Sequence, residues 1–146
     1  MDKRNIVEFS EEEERIVEET LMAFEEDKRN AIELIKNLEE INFTEQQNKE
    51  NTIGYIQDYG RTISVDFLED NHGKYLKLSF IMKVQGDSDI LMHKLSLWFK
   101  HARYKLNGEE IELYQIFPLL DERFLLSQIK HAVSEILDMS GVVKCN

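Results

Sequence analysis

Over the first quarter of the chain the apolar positions recur at helical spacing. Turning successive residues by 100° leaves Ile16, Val17, Thr20, Leu21, Phe24, Ala31, Ile32, Leu34, Ile35, Leu38 and Ile41 on one side. Ahead of them, Ser10-Glu11-Glu12-Glu13 reads as a capping box, in which the serine hydroxyl and the third glutamate satisfy helix-start amides reciprocally. The glutamate run also suits the positive end of a helix dipole. The phase survives across residues 27–30, so one long helix fits as well as two short ones broken near Asp27.

After a polar stretch, residues 44–51, the period falls to two. Residues 53–57 predict a short strand, and Asp58-Tyr59-Gly60 a tight turn. Residues 61–68 place Ile63, Val65 and Phe67 on one face, and a second turn follows at 69–73. Residues 74–84 then set Leu76, Leu78, Phe80, Met82 and Val84 against Tyr75, Lys77, Ser79, Ile81 and Lys83. Such alternation is the mark of a half-buried antiparallel meander. Cap residues at 85–89 introduce a helix over about 90–102. Asn107-Gly108, between strands at 103–106 and 109–117, is the clearest hairpin signal, because both residues tolerate the positive φ of a type I′ turn. Pro118 stops that strand. A last helix over about 119–139 gathers Leu125, Leu126, Ile129, Ala132, Val133, Ile136 and Leu137 on one face, with Gly141 as its cap. The expected fold is an α+β domain of order α-β-β-β-α-β-β-α, an antiparallel sheet packed by helices, with an extended acidic N-terminal helix. It forms a single domain over 1–146, with 1–28 as the acidic helical extension and 29–141 as the core.

The middle helix carries two apolar stripes. Leu91, Met92, Leu95, Trp98, Phe99 and Ala102 gather on one side and are expected to pack on the sheet. Ile90, His93, Leu97, His101 and Tyr104 gather opposite, at spacings of three, four, four and three. One sheet covers one face, so the second stripe needs another cover. The long first helix could supply it, and so could a second copy of the chain across a two-fold axis. On the second reading these five residues form a dimer interface. A further candidate surface is the outer sheet face, where Tyr75, Ile81, Tyr114 and Ile116 stand among polar groups and could hold an extended partner segment. An ordinary wet sheet face is the other reading.

Composition narrows the function. With 146 residues, 42% of them apolar, the chain can bury a sizeable core. Its net charge of −11 opposes binding to nucleic acid or to an anionic membrane. From Glu8 to Glu40 there are thirteen acids and four bases, a net of −9, so most of the imbalance sits at the start. No run of eighteen apolar residues predicts a membrane span, and Met1 to Asn5 does not lead into the apolar core of a signal peptide, so a cytoplasmic location is expected. The single Cys145 can form no internal disulfide and lies too near the chain's end to suggest a nucleophile.

Catalytic patterns are absent: there is no phosphate-cradling glycine loop, G-x-S-x-G, H-E-x-x-H or C-x-x-C. His93 and His101, two helical turns apart, would stand about 12 Å from one another, too far for one metal ion. His131 and Glu135 share the polar side of the last helix with no third ligand. Asp66, beside Thr62 and Ser64, reads as a solvated sheet residue. No catalytic, cofactor or metal site is expected.

Three segments carry a family resemblance. They are Ile53-Gly54-Tyr55 through Gly60-Arg61-Thr62-Ile63, Leu95-Ser96-Leu97-Trp98-Phe99 leading into Ala102-Arg103-Tyr104, and Ile111-Glu112-Leu113-Tyr114 through Phe117-Pro118-Leu119. With the element order around them, the stretch 31–139 resembles YbjN-like and type III secretion chaperone-like domains. That resemblance implies a small acidic bacterial domain without catalytic activity, dimerising through its middle helix. The secretion chaperones of this fold hold extended segments of their clients. The acidic lead at 10–28 departs from the pattern and could cover the surface that a client would use. The expected function is therefore a chaperone-like, homodimeric protein-binding domain. The alternative is an immunity or antitoxin-type inhibitor whose acidic first helix masks a basic partner.

Overall fold

The first apolar stripe forms on one unbroken helix, α1 (Glu11–Lys36), in the computed structural model, which describes residues 10–46, 50–101 and 103–146. Ser10 caps it, its Oγ accepting from the Glu13 amide at 3.2 Å. Four glutamates occupy the first turn and Lys36 the last, each sign at the favourable end of the dipole. Leu38 and Ile41 lie past the helix end. Consecutive turns, Leu38 N–H to the Ile35 carbonyl and Ile41 N–H to the Leu38 carbonyl, keep both side chains against the core.

Six antiparallel strands follow in the spatial order β1-β2-β3-β4-β6-β5. They are β1 (Phe43–Glu45), β2 (Thr52–Asp58), β3 (Arg61–Asp70), β4 (Gly73–Lys83), β5 (Tyr104–Asn107) and β6 (Glu110–Pro118). β1 is a short edge strand that overlaps the start of the stretch expected to be a loop, and residues 47–49 of that stretch lie outside the described residues. The register aligns apolar residues in rows on one face: Phe43 with Ile56, Ile56 with Ile63, Val65 with Leu78, Phe67 with Leu76, Phe80 with Leu113, and Met82 with Ile111. A one-residue slip would turn every one of these side chains into water, which is why the period-two pattern specifies the pairing.

Helices α1, α2 (Ser88–Trp98) and α3 (Glu122–Lys144) all feed one core on that face. α1 lies over β1, β2 and β3, α3 over β4 and β6, and α2 against α3. No residue of the opposite sheet face belongs to the core.

Two helix boundaries differ from the sequence reading. α2 ends at Trp98 because Phe99 turns extended (φ −124°, ψ 108°) and itself packs on the core. His101 is therefore in a turn and Tyr104 on β5, paired with Leu113 and packed inward. Ala102 lies outside the described residues. α3 starts at the Asp121 cap and runs on through Gly141 to Lys144. A helical glycine costs about 1 kcal/mol relative to alanine. Val143, fully buried two residues further on, offsets it with roughly 1.5–3 kcal/mol of apolar burial. The extension brings Asn146 onto α2's start, where its side-chain amide donates to the Gln85 and Asp87 carbonyls and accepts from Lys94 at 3.1 Å.

At Gly54 the register of β2 shifts, and the Phe43 ring lies directly on the glycine. A Cβ there would collide with ring atoms of Phe43 and with the Thr44 carbonyl oxygen. Gly54→Ala is therefore expected to destabilise by roughly 1–3 kcal/mol through overpacking. Urea unfolding should show the midpoint falling; an unchanged midpoint would mean that Phe43 is not seated over β2.

Candidate binding surfaces

Asp87 starts α2, its carboxylate accepting from the Asp89 and Ile90 amides at 2.8 and 3.1 Å. The helix gives Leu91 and Leu95 to the core, both with no exposed surface. Its other side is not covered by α1 or by anything else of the described chain. Ile90 is 54% exposed and Leu97 66%, and His93 is exposed between them. Trp98, assigned to the inner stripe by its spacing, is 66% exposed as well. It is the helix's last residue, and of the two neighbours only Phe99 packs on the core. The uncovered surface is thus Ile90, His93, Leu97 and Trp98. Tyr104 has left it for the core, and His101 stands beside it in the following turn.

The outer sheet face gathers the second set of predicted residues on two neighbouring strands. Ser79 pairs with Tyr114, Lys77 with Ile116, and Ile81 with Glu112, so Tyr75, Ile81, Tyr114 and Ile116 share one surface. Its centre is knitted by charge: Lys77 reaches Glu112 at 3.0 Å and lies 4.9 Å over the Tyr114 ring. Asp66, on the adjacent strand, accepts from the Thr52 hydroxyl at 2.8 Å. Tyr75, Tyr114 and Ile116 are half-buried among these neighbours, and Ile81 is exposed.

α1 outruns the sheet beneath it. Phe24 meets Phe67 with ring centroids 5.6 Å apart, and Asp27 pairs with Lys74 at 3.0 Å, so contact with the body begins at about that turn. From Glu11 to Ala23 every residue is exposed, although Ile16, Val17 and Leu21 keep the phase of the buried Ala31, Ile32 and Ile35. The sequence pattern marks this stripe as core; nothing in the pattern marks where the sheet stops.

A cleft of about 580 Å³ lies at the opposite end, between the β2–β3 turn, the α1–β1 connection and α3. Asp58, Tyr59, Arg61, Ser134 and Asp138 line it, with the Lys130–Glu40 ion pair across its mouth. Its charged groups are of both signs, and the ion pair's partners are each more than half exposed, so water screens them. At the start of α3 the Arg123 guanidinium, 2.7 Å from Asp121, holds that carboxyl below the usual carboxylate range, as a helix cap and its partner do. Among the described residues no group of three His, Cys, Asp or Glu is placed to hold a metal ion, and no helix is long and apolar enough to cross a membrane. His131 is exposed on α3, and Cys145 is exposed beyond it. Comparison with protein-family models, with curated proteins and with solved structures found no match to this chain.

Tyr59 stands at the cleft's rim with φ +48°, followed by Gly60 at +75°. A left-handed conformation costs a residue with a Cβ about 1–2 kcal/mol, and asparagine tolerates it best. Tyr59→Asn is expected to raise stability by roughly 0.5–1 kcal/mol, read as a higher thermal midpoint. A lower midpoint would mean that the ring makes contacts worth more than the strain.

Proposed function

We propose that the chain is a non-catalytic, chaperone-like protein-binding module acting as a homodimer joined through α2. The observation that carries this is the apolar side of α2, where Ile90, Leu97 and Trp98 present large side chains to water on a helix of eleven residues. Aromatic and aliphatic side chains clustered in this way are the usual anchors of an interface.

Charge supports a second copy as the cover. Residues 87–103 hold two acids and three bases, so two copies of this helix can meet without the repulsion that a net charge of −11 imposes elsewhere. The resemblance to YbjN-like and secretion chaperone-like domains leads to the same interface. With α2 in the dimer contact, the outer sheet face remains free, and we assign Tyr75, Ile81, Tyr114 and Ile116 to an extended segment of a partner protein. A cytoplasmic location fits a chain whose single cysteine can form no internal disulfide.

Size-exclusion chromatography with light scattering at tens of micromolar should give twice the monomer mass. Leu97→Glu should give monomers, because a carboxylate buried without a partner costs about 3–5 kcal/mol, at least about a hundred-fold in dissociation constant. Leu97 touches little of its own chain, so the variant should keep the wild-type circular dichroism. A monomeric wild type would sink the proposal.

A further inference from the structure

The free half of α1 is a different kind of surface from α2. A shallow groove runs between it and the β3–β4 turn, with Ile16, Thr20, Ala23 and Phe24 as its floor. Acids stand on both walls, Glu19 on the helix and Glu69 and Asp70 at the end of β3. Residues 11–24 hold six acids and one base, Arg15, a net of −5, and Arg15 lies 3.9 Å from Glu19. Two elements far apart in sequence therefore bring the same charge sign to the edges of one apolar strip.

We infer that this groove receives a basic amphipathic helix of another protein, apolar side chains on the floor and lysines or arginines against the acidic walls. The inference rests on the protein-binding reading above but not on the dimer. A second copy of the chain is a poor occupant, because it would bring a net −5 against a net −5 along the whole contact. Nucleic acid is repelled for the same reason. A cationic helix satisfies both features at once. Its apolar stripe removes Ile16, 52% exposed, from water. Its charges are drawn to the rim, which speeds encounter and fixes orientation. The exposed segment of α1, thirteen residues long, offers about 20 Å of helix, enough for four turns of a partner.

The probe is a designed, fluorescently labelled 18-residue peptide with leucines at helical i, i+3, i+4, i+7 spacing and lysines elsewhere. A scrambled peptide of the same composition, lacking the stripe, is the control. Anisotropy titrations at low and high salt should show the striped peptide binding at least about ten-fold tighter than the scramble, and weakening as salt rises. Ile16→Gln with Ala23→Gln should abolish that preference while leaving circular dichroism and the unfolding midpoint unchanged, since both side chains are exposed. Glu19→Lys with Glu69→Lys should reverse the preference toward a striped peptide carrying glutamates. Equal binding of the two lysine peptides, or an unaffected Ile16/Ala23 variant, would overturn the groove. So would loss of the dimer in that variant, which would make a second copy the occupant. The Leu97→Glu variant, titrated in parallel, separates the two proposals. Unchanged peptide binding by a monomer supports the groove alone, and a normal dimer that ignores the peptide overturns the groove alone.

Discussion

One sheet face has to hide the apolar stripes of three helices, and it is too small to do so. The six strands align Ile63, Val65, Phe67, Leu76, Leu78, Ile111 and Leu113 into a continuous buried surface. α1 and α3 between them take that surface up, one over each half of the sheet. α2 arrives third and must use α3 as its floor, so it buries Leu91 and Leu95 and leaves Ile90, Leu97 and Trp98 outside. α1 has the opposite mismatch. At 26 residues it is about 39 Å long, whereas β2, with seven residues, spans about 24 Å. The excess helix keeps its core-facing stripe with no core beneath it. Both unfinished surfaces come from the same geometric shortfall.

What can finish each surface is decided by charge rather than by area. Apolar stripes attract any apolar cover, but the residues at their margins accept or refuse the approach. Around α2 the acids and bases nearly balance, so a copy of the chain is tolerated. Around the start of α1 the glutamates refuse another acidic surface at low salt, within a Debye length of about 10 Å at 0.1 M. The same stripe that would make a helical hairpin in a neutral protein is, on the groove proposal, reserved for a cation-bearing partner. The outer sheet face lies between these extremes, since Lys77, Glu112 and Tyr114 already satisfy one another across β4 and β6.

The α+β architecture was legible because its strongest signals are periodic. Ile63, Val65 and Phe67 alternate without interruption, and Asn107-Gly108 admits little but a hairpin; each is decided by residues adjacent in sequence. The errors lie where a tertiary contact overrides a local rule. Gly141 has the form of a helix cap, yet the burial of Val143 draws the helix through it. Trp98 has the spacing of a core residue, yet of the two neighbours only the extended Phe99 packs on the core. β1 escapes notice because a three-residue edge strand has no period, and the signal is the seat that Gly54 offers to Phe43. Of the candidate surfaces, the sheet-face set arrives whole because alternation fixes the face of each residue. The helix set loses Tyr104, because a spacing argument cannot see the helix end between them.

The two unfinished surfaces also sit where they do not compete. α2 begins at the end of the sheet where β4 finishes, tied there by Asn146 to the Gln85 and Asp87 carbonyls. The groove on α1 lies at the other end, against the β3–β4 turn. Two chains joined through α2 therefore keep both grooves open, related by the same two-fold axis. A partner presenting one basic helix gains nothing from this arrangement. A partner presenting two, on a linker able to span the dimer, binds the second as an intramolecular event, at an effective concentration that reaches millimolar for short flexible linkers. Weak grooves of modest area then suffice for tight holding, and release needs only that one protomer leave the dimer. On the two proposals, dimerisation and partner binding are carried by separate residues and coupled through that avidity.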